Sequence, residues 1–148
     1  MNKIEKILVP IDFSENSAKV LDTAIFFAEK FNAKLFVVFV MQTLEDYSGF
    51  FVPHMPIAQF EEEMRQSAEK KMGSFIEENM KKGVPHDATV LNGDIAEELI
   101  NYAKDKDTDL IIMGTHGYKG LEKVLFGSVA DKVVKLAPCP VLTVNPYR

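Results

Sequence analysis

The feature that most constrains this chain is a set of short, nearly continuous apolar runs separated by helix-length amphipathic stretches. Ile4 to Ile11 reads Ile-Glu-Lys-Ile-Leu-Val-Pro-Ile, Lys34 to Val40 reads Lys-Leu-Phe-Val-Val-Phe-Val, and Asp109 to Met113 reads Asp-Leu-Ile-Ile-Met. A strand with one wet face alternates apolar and polar residues; these runs do not, so they read as parallel strands buried on both faces. Between the first two, Ala18, Leu21, Ala24, Ile25, Ala28 and Phe31 keep helical spacing, with Ser14 placed to cap the helix and Asn32-Ala33 to break it. The result is a βαβ unit, a crossover that is right-handed in nearly all proteins.

The same alternation continues. Met41 to Ile57 is irregular and carries Tyr47, Gly49, Phe50, Phe51, Pro53, His54 and Pro56. A connection of that length in a compact domain is a lid, an interface or a mobile segment. A long charged amphipathic helix follows from Ala58 to about Lys82, stopped by Gly83 with Pro85 beyond it. Ala88 to Leu91 is a short third strand, and Asp94-Ile-Ala-Glu97 has the form of a capping box opening a helix through Ala103. After the fourth strand come a helix over Val129 to Leu136 and, past Pro138-Cys-Pro140, a fifth strand over Val141 to Val144. The pattern βαβαβαβαβ predicts one α/β domain over residues 1–148: a doubly wound, five-stranded parallel sheet with helices on both faces. No internal repeat, low-complexity tract or linker divides it. With strand order 3-2-1-4-5, the reversal falls between the first and fourth strands, where such sheets bind ligands. Asp12 and Gly114 then face each other across one crevice.

A glycine-rich stretch lies at that point. Gly114-Thr115-His116-Gly117 follows the fourth strand, nine residues run from Tyr118 to Phe126, and Gly127-Ser128 opens the last helix. Glycine without a Cβ lets backbone N–H groups approach a bound group closely. A helix N-terminus adds unsatisfied donors and partial positive charge, and Ser128 adds a hydroxyl. Strand, glycine turn and helix start together describe a place to hold phosphates. The P-loop pattern G-x-x-x-x-G-K-[ST] is absent, and the turn after the first strand reads Pro-Ile-Asp-Phe-Ser rather than G-x-G-x-x-G. A Walker-type NTPase and an ordinary Rossmann dehydrogenase are therefore excluded.

Composition removes other classes. A net charge of −5 argues against a non-specific nucleic-acid binder. No apolar run approaches the ~20 residues needed to span a bilayer, so membrane insertion is not expected. A single cysteine forms no internal disulfide, and the expected compartment is the cytoplasm. Cys139, between two prolines, reads as an inert packed thiol, and His54, His86 and His116 show no zinc-ligand spacing, so no protein metal site is expected.

Gly114-x-x-Gly117, nine residues, then Gly127-Ser128 matches G-x2-G-x9-G-[S/T], and by this pattern the chain resembles the ATP-binding branch of the universal stress protein family. The likeness extends to Ile7-Leu-Val-Pro-Ile-Asp-Phe-Ser14, to Thr108-Asp-Leu-Ile-Ile-Met-Gly-Thr-His-Gly117 and to Pro138-Cys-Pro-Val-Leu-Thr-Val144. The fold it implies is the one these proteins share with the adenine nucleotide alpha hydrolase-like (HUP) group. It also implies a cytoplasmic homodimer holding one ATP, ADP or AMP per subunit, with Mg2+ or Mn2+ carried on the nucleotide. Carried over by position, Gly117, Gly127, Ser128 and Val129 contact the phosphates, Met113 and Gly114 border the nucleoside, and Thr115 and His116 lie in the phosphate turn. Asp12 sits near the ribose or a phosphate-bound cation, Pro10 and Ile11 line the base pocket, and Val40 meets the adenine edge through its backbone. The family commonly pairs its last strand across the dimer axis, here 140–144; an uncovered edge strand invites such pairing on physical grounds too.

Plainer readings stand beside these. Asp12 could be a turn or cap residue alone, Ser14 and Asp94 read as caps, and Lys119 and Lys123 as solvated lysines. His116 lacks the positioned partner that a general base needs. The leading function is a nucleotide-responsive stress or signalling module. The alternatives are a slow ATPase or adenylate-forming enzyme on the same site, and an interaction module that uses no nucleotide. Efficient phosphoryl transfer calls for a water-orienting group and charge stabilisation. Both arginines, Arg65 and Arg148, lie outside the motif.

Overall fold

The computed structural model describes residues 3–42, 57–116 and 127–147. Among the described residues, five strands and four helices alternate: β1 (Lys6–Ile11), α1 (Ser17–Phe31), β2 (Lys34–Met41), α2 (Ile57–Asn79), β3 (His86–Asn92), α3 (Ile95–Asp105), β4 (Leu110–Gly114), α4 (Gly127–Leu136) and β5 (Val141–Val144). All strand pairs are parallel, and the sheet order is β3-β2-β1-β4-β5, as the alternation predicts.

Side-chain alternation divides the core into two layers. Ile7, Val9, Ile11, Leu35, Val37, Leu110 and Ile112 pack with Val20, Leu21, Ala24, Ile25 and Ala28 of α1 and Met72 of α2. Leu8, Phe36, Val38, Val40, Ile111 and Met113 point the other way, onto Ala96, Leu99 and Ala103 of α3 and Ala130 and Val133 of α4. This is why the central strands show no polar alternation: successive residues enter different cores, and both are dry.

Several boundaries move for local reasons. Ser14 is not the cap of α1. The helix starts at Ser17 with Asn16 in the N-cap position, while Ser14 Oγ accepts from Asn16 N–H at 3.3 Å. The shift follows from Asp12, whose Oδ1 accepts from Ser14 N–H and from Ser17 Oγ, both at 2.9 Å, tying a turn ahead of the helix. Asn32 ends α1 in the left-handed conformation, φ 57°, with its N–H on the Ala28 carbonyl, a common helix stop. The α2 helix stops at Asn79, before Lys82, and Gly83 turns the chain with φ 89°. The β3 strand has seven residues rather than the expected four, because the added ends, His86, Asp87 and Asn92, are exposed and polar and carry no apolar signal. Asp94 caps α3 as expected: Oδ2 accepts from Glu97 N–H at 3.0 Å. The β5 strand has the predicted bounds.

Most of the irregular Met41–Ile57 segment, residues 43–56, lies outside the described residues, as does the stretch 117–126 that contains Gly117, Lys119 and Lys123. Among the described residues, no helix is long and apolar enough to cross a membrane.

Candidate functional site

The carboxyl ends of β1, β2 and β4 border a cavity of about 540 Å3. That volume is within the usual range for small-molecule sites, ~300–1,000 Å3. Its floor comes from Pro10, Ile11, Asp12 and Phe13 after β1, from Val38 to Gln42 of β2 and the following turn, and from Met113 of β4. Ser128 and Val129, in the first turn of α4, form one side. Asp94, Ile95 and Leu99 at the start of α3 form a second. The third is the α2 face: Met64, Ser67, Ala68 and Lys71, spaced three, four and seven residues from the first.

Seven of the residues nominated from sequence share this one wall system: Pro10, Ile11, Asp12, Val40, Met113, Ser128 and Val129. Gly114 and His116 line a small adjoining recess with Pro10, Ile11, Asp12, Ser14, Asn16, Ser17 and Val20, so Asp12 and Gly114 do lie across one crevice. Thr115 lies on neither wall; its N–H donates to the Val144 carbonyl of β5 at 2.9 Å. Gly127 begins α4, and Gly117 lies outside the described residues.

Two nominated residues have structural work as well. A Cβ on Gly114 would come to 3.0 Å from Val20 Cγ2, so the glycine lets α1 pack tightly against the end of β4 whatever fills the crevice. Asp12 spends Oδ1 on Ser14 and Ser17, and its own N–H reaches Ser17 Oγ at 3.2 Å. This fixed turn presents Asp12 to both recesses at once. The turn continues through Phe13, which adopts φ 61°, rare for a bulky side chain and found where the surroundings enforce it. Its ring stacks at a tilt on Phe39, centroids 4.5 Å apart, and meets Phe75 of α2 edge-on at 6.2 Å. The aromatic group joins the cavity floor to α2.

Sequence reasoning missed the α2 wall, Asp94 as a wall residue, and Phe13. The spacing of Met64, Ser67, Ala68 and Lys71 was available as a signal, but a mixed polar stripe reads as helix surface unless the fold brings a cavity to it.

The lining is mainly apolar, with the charged groups Asp12, Asp94 and Lys71 at separate points. Among the described residues no cluster of three or more His, Cys, Asp or Glu could hold a metal ion. Cys139 packs against the α3–α4 core, and burial, then the charge of Asp109, pushes its thiol pKa up, away from the reactive thiolate. The His116 Nδ1 lies 2.7 Å from Thr115 Oγ1, a short contact with its neighbour.

Comparison with known proteins agrees with this architecture. Residues 3–145 match the model of the universal stress protein family. The chain is 36% identical over 145 residues to universal stress protein YxiE of Bacillus subtilis, covering 95% of this chain and 98% of that one. The solved structure of hypothetical protein MJ0577 superposes with a TM-score of 0.79 at 28% identity, covering 96% of both chains. A universal stress protein from Archaeoglobus fulgidus in complex with dAMP has the same fold, TM-score 0.68 at 18% identity, covering 98% of this chain and 100% of that one. So does a universal stress protein in complex with cAMP, TM-score 0.61 at 20% identity, covering 96% and 97%. With a family match across nearly its whole length and a relative at this identity, the chain belongs to the universal stress protein family.

Proposed function

We propose that the cavity binds an adenine nucleotide, ATP foremost with ADP and AMP as its competitors, and that the protein is a nucleotide-responsive stress or signalling module. The observation that carries this is the meeting of two separate lines at one place. The cavity lies at the carboxyl ends of β1, β2 and β4, and Ser128, the last residue of the G-x2-G-x9-G-[S/T] motif, stands on its wall with the adjoining Val129. The mixed surface suits such a ligand: apolar floor for a base, and a helix start with its N–H dipoles and a hydroxyl for phosphates. Two proteins of the same fold, the dAMP and cAMP complexes, hold adenine nucleotides, which makes this class the natural first test.

In this reading Gly117, Gly127, Ser128 and Val129 contact phosphates, Val40 meets the base through its backbone, and Pro10, Ile11, Met113 and Gly114 border the nucleoside. Thr115 and His116 shape the turn. A divalent cation, Mg2+ or Mn2+, arrives with the triphosphate, and Asp12 is the carboxylate of the first-strand turn that faces it. The four-residue edge strand β5 pairs with a second copy, giving a cytoplasmic homodimer. Turnover, if any, is slow: the wall offers no arginine, and Lys71 is its only Lys or Arg among the described residues.

The test is the nucleotide content of purified protein, released by denaturation and chromatographed, with the ATP-to-ADP ratio followed over time. Adenine nucleotide in near-stoichiometric amount with a stable ratio supports a holder. A ratio falling within minutes would favour the hydrolase, and stripped protein that takes up no ATP, ADP or AMP would move the function to the dimer surface.

A further inference from the structure

The segment after β5 turns toward the start of α1 and the residues that follow β4. Tyr147 N–H donates to Asn145 Oδ1 at 3.0 Å, closing a turn, and Lys19 Nζ of α1 donates to the Pro146 carbonyl at 2.9 Å. These contacts bring the Tyr147 ring edge-on to the His116 imidazole, centroids 5.1 Å apart and planes at 78°. Aromatic rings attract in this arrangement.

Asn16 lies beneath the pair. It occupies the N-cap position of α1 and is 2% exposed, yet its side chain makes no cap hydrogen bond. Its Nδ2 reaches outward, 3.5 Å from the His116 carbonyl and 3.5 Å from the Tyr147 hydroxyl, at the long end of hydrogen bonding. From the other side, Thr115 is tied to β5 through the Val144 carbonyl. Thr115 and His116 are thus held by β5, by α1 and by the returning segment, and the next residue in the chain is Gly117.

We propose that Tyr147 is a positioning residue for the start of the phosphate turn: it fixes His116 and, with β5, the backbone of Thr115 and His116, and so sets affinity for the ligand's phosphates and not for its base. This rests on the nucleotide reading. A turn already ordered before binding loses less conformational freedom when phosphates arrive. The same residues connect the turn to β5, the strand proposed to pair between subunits, so occupancy and pairing act on one piece of backbone.

Tyr147 is 57% exposed, so Tyr147→Ala should leave the fold intact, and Tyr147→Phe keeps the ring. Affinities for ATP and adenosine are measured beside the NMR signals of the His116 ring and amide exchange at Thr115 and His116. Tyr147→Ala should weaken ATP by about fivefold to tenfold. It should change adenosine affinity by less than about twofold, shift the His116 ring signals and speed exchange, with Tyr147→Phe close to wild type. Equal weakening of ATP and adenosine would mean a merely structural role and overturn the proposal. Wild-type protein that binds both ligands, with Tyr147→Ala indistinguishable from it, overturns the positioning role alone. Wild-type protein that binds neither ligand overturns the nucleotide reading beneath it.

Discussion

The strand floor and the α2 wall of the cavity are built in different ways. Floor residues belong to strands fixed by neighbours on both edges and by dry cores on both faces; Ile7, Leu8, Val9, Ile111, Ile112 and Met113 are 0% exposed. The α2 wall belongs to a helix of 23 residues that buries only Ala68 and Met72, with Phe75 and Ile76 partly buried against the core. Half of the container is therefore rigid by construction. The other half rests on one narrow apolar stripe, and the Phe13 ring is one link between the two. In the proposed nucleotide complex the floor would set the ligand's geometry, and the helix its access and fit.

The largest expected effect comes from breaking the floor. Ile112→Ala should cost about 2–5 kcal/mol in urea unfolding, because the void opens between two fixed layers that cannot close on it. A cost below about 1 kcal/mol would show that the sheet relaxes freely and that the floor is no more rigid than the helix. Gly114→Ala sharpens the same point at the site's edge. The new Cβ meets Val20 Cγ2 at 3.0 Å, and the expected loss is about 1–2 kcal/mol. Adding Val20→Ala to it should remove that strain, leaving only the lost Val20 packing; if the Gly114→Ala penalty persists unchanged in the double variant, α1 packing is not the reason for the glycine.

The α2 wall should open before the rest of the molecule. Amides of α2 should exchange at free energies below those of β1 and β4, and Met72→Ala should widen the gap by loosening α2 first. Exchange of α2 and β1 at one common free energy would merge the two regions into a single cooperative unit. The smallest effect belongs to the outer face of α2, where Arg65 pairs with Glu62 and Glu69 in full solvent. The pair holds the Glu62 carboxyl below its usual pKa, but solvent screens that interaction, and Arg65→Ala should leave the urea midpoint unmoved. A clear drop would mean that this face is covered in solution.

The same contrast explains what the sequence disclosed. The floor was legible because two-sided burial leaves unbroken apolar runs such as Leu35 to Val40, and because parallel α/β topology puts their carboxyl ends together. The last strand was legible to the residue, since Pro140 marks where it can begin and Asn145 where it ends. Edge strand β3 was read too short, because its exposed ends lack an apolar signature. The Ser14 cap was misplaced because Asp12 competes for the same turn, a tertiary choice invisible to a local pattern. Met64, Ser67, Ala68 and Lys71 were unreadable as a wall because nothing in their own residue types distinguishes a cavity face from a solvent face. Tyr147 and His116 are 31 positions apart, and only the turn after β5 brings their rings together.

The central claim, that this cavity holds an adenine nucleotide by its phosphates at the start of α4, is tested most directly by titrating ATP into stripped wild-type protein and a Ser128→Glu variant. Ser128 is exposed on the helix's first turn, so the variant should fold normally and place a carboxylate where phosphates are proposed to sit. Wild type should bind ATP saturably and the variant should lose at least about tenfold in affinity, with unfolding midpoints alike. Equal ATP affinity in both folded proteins would contradict the claim and place the nucleotide, if there is one, elsewhere.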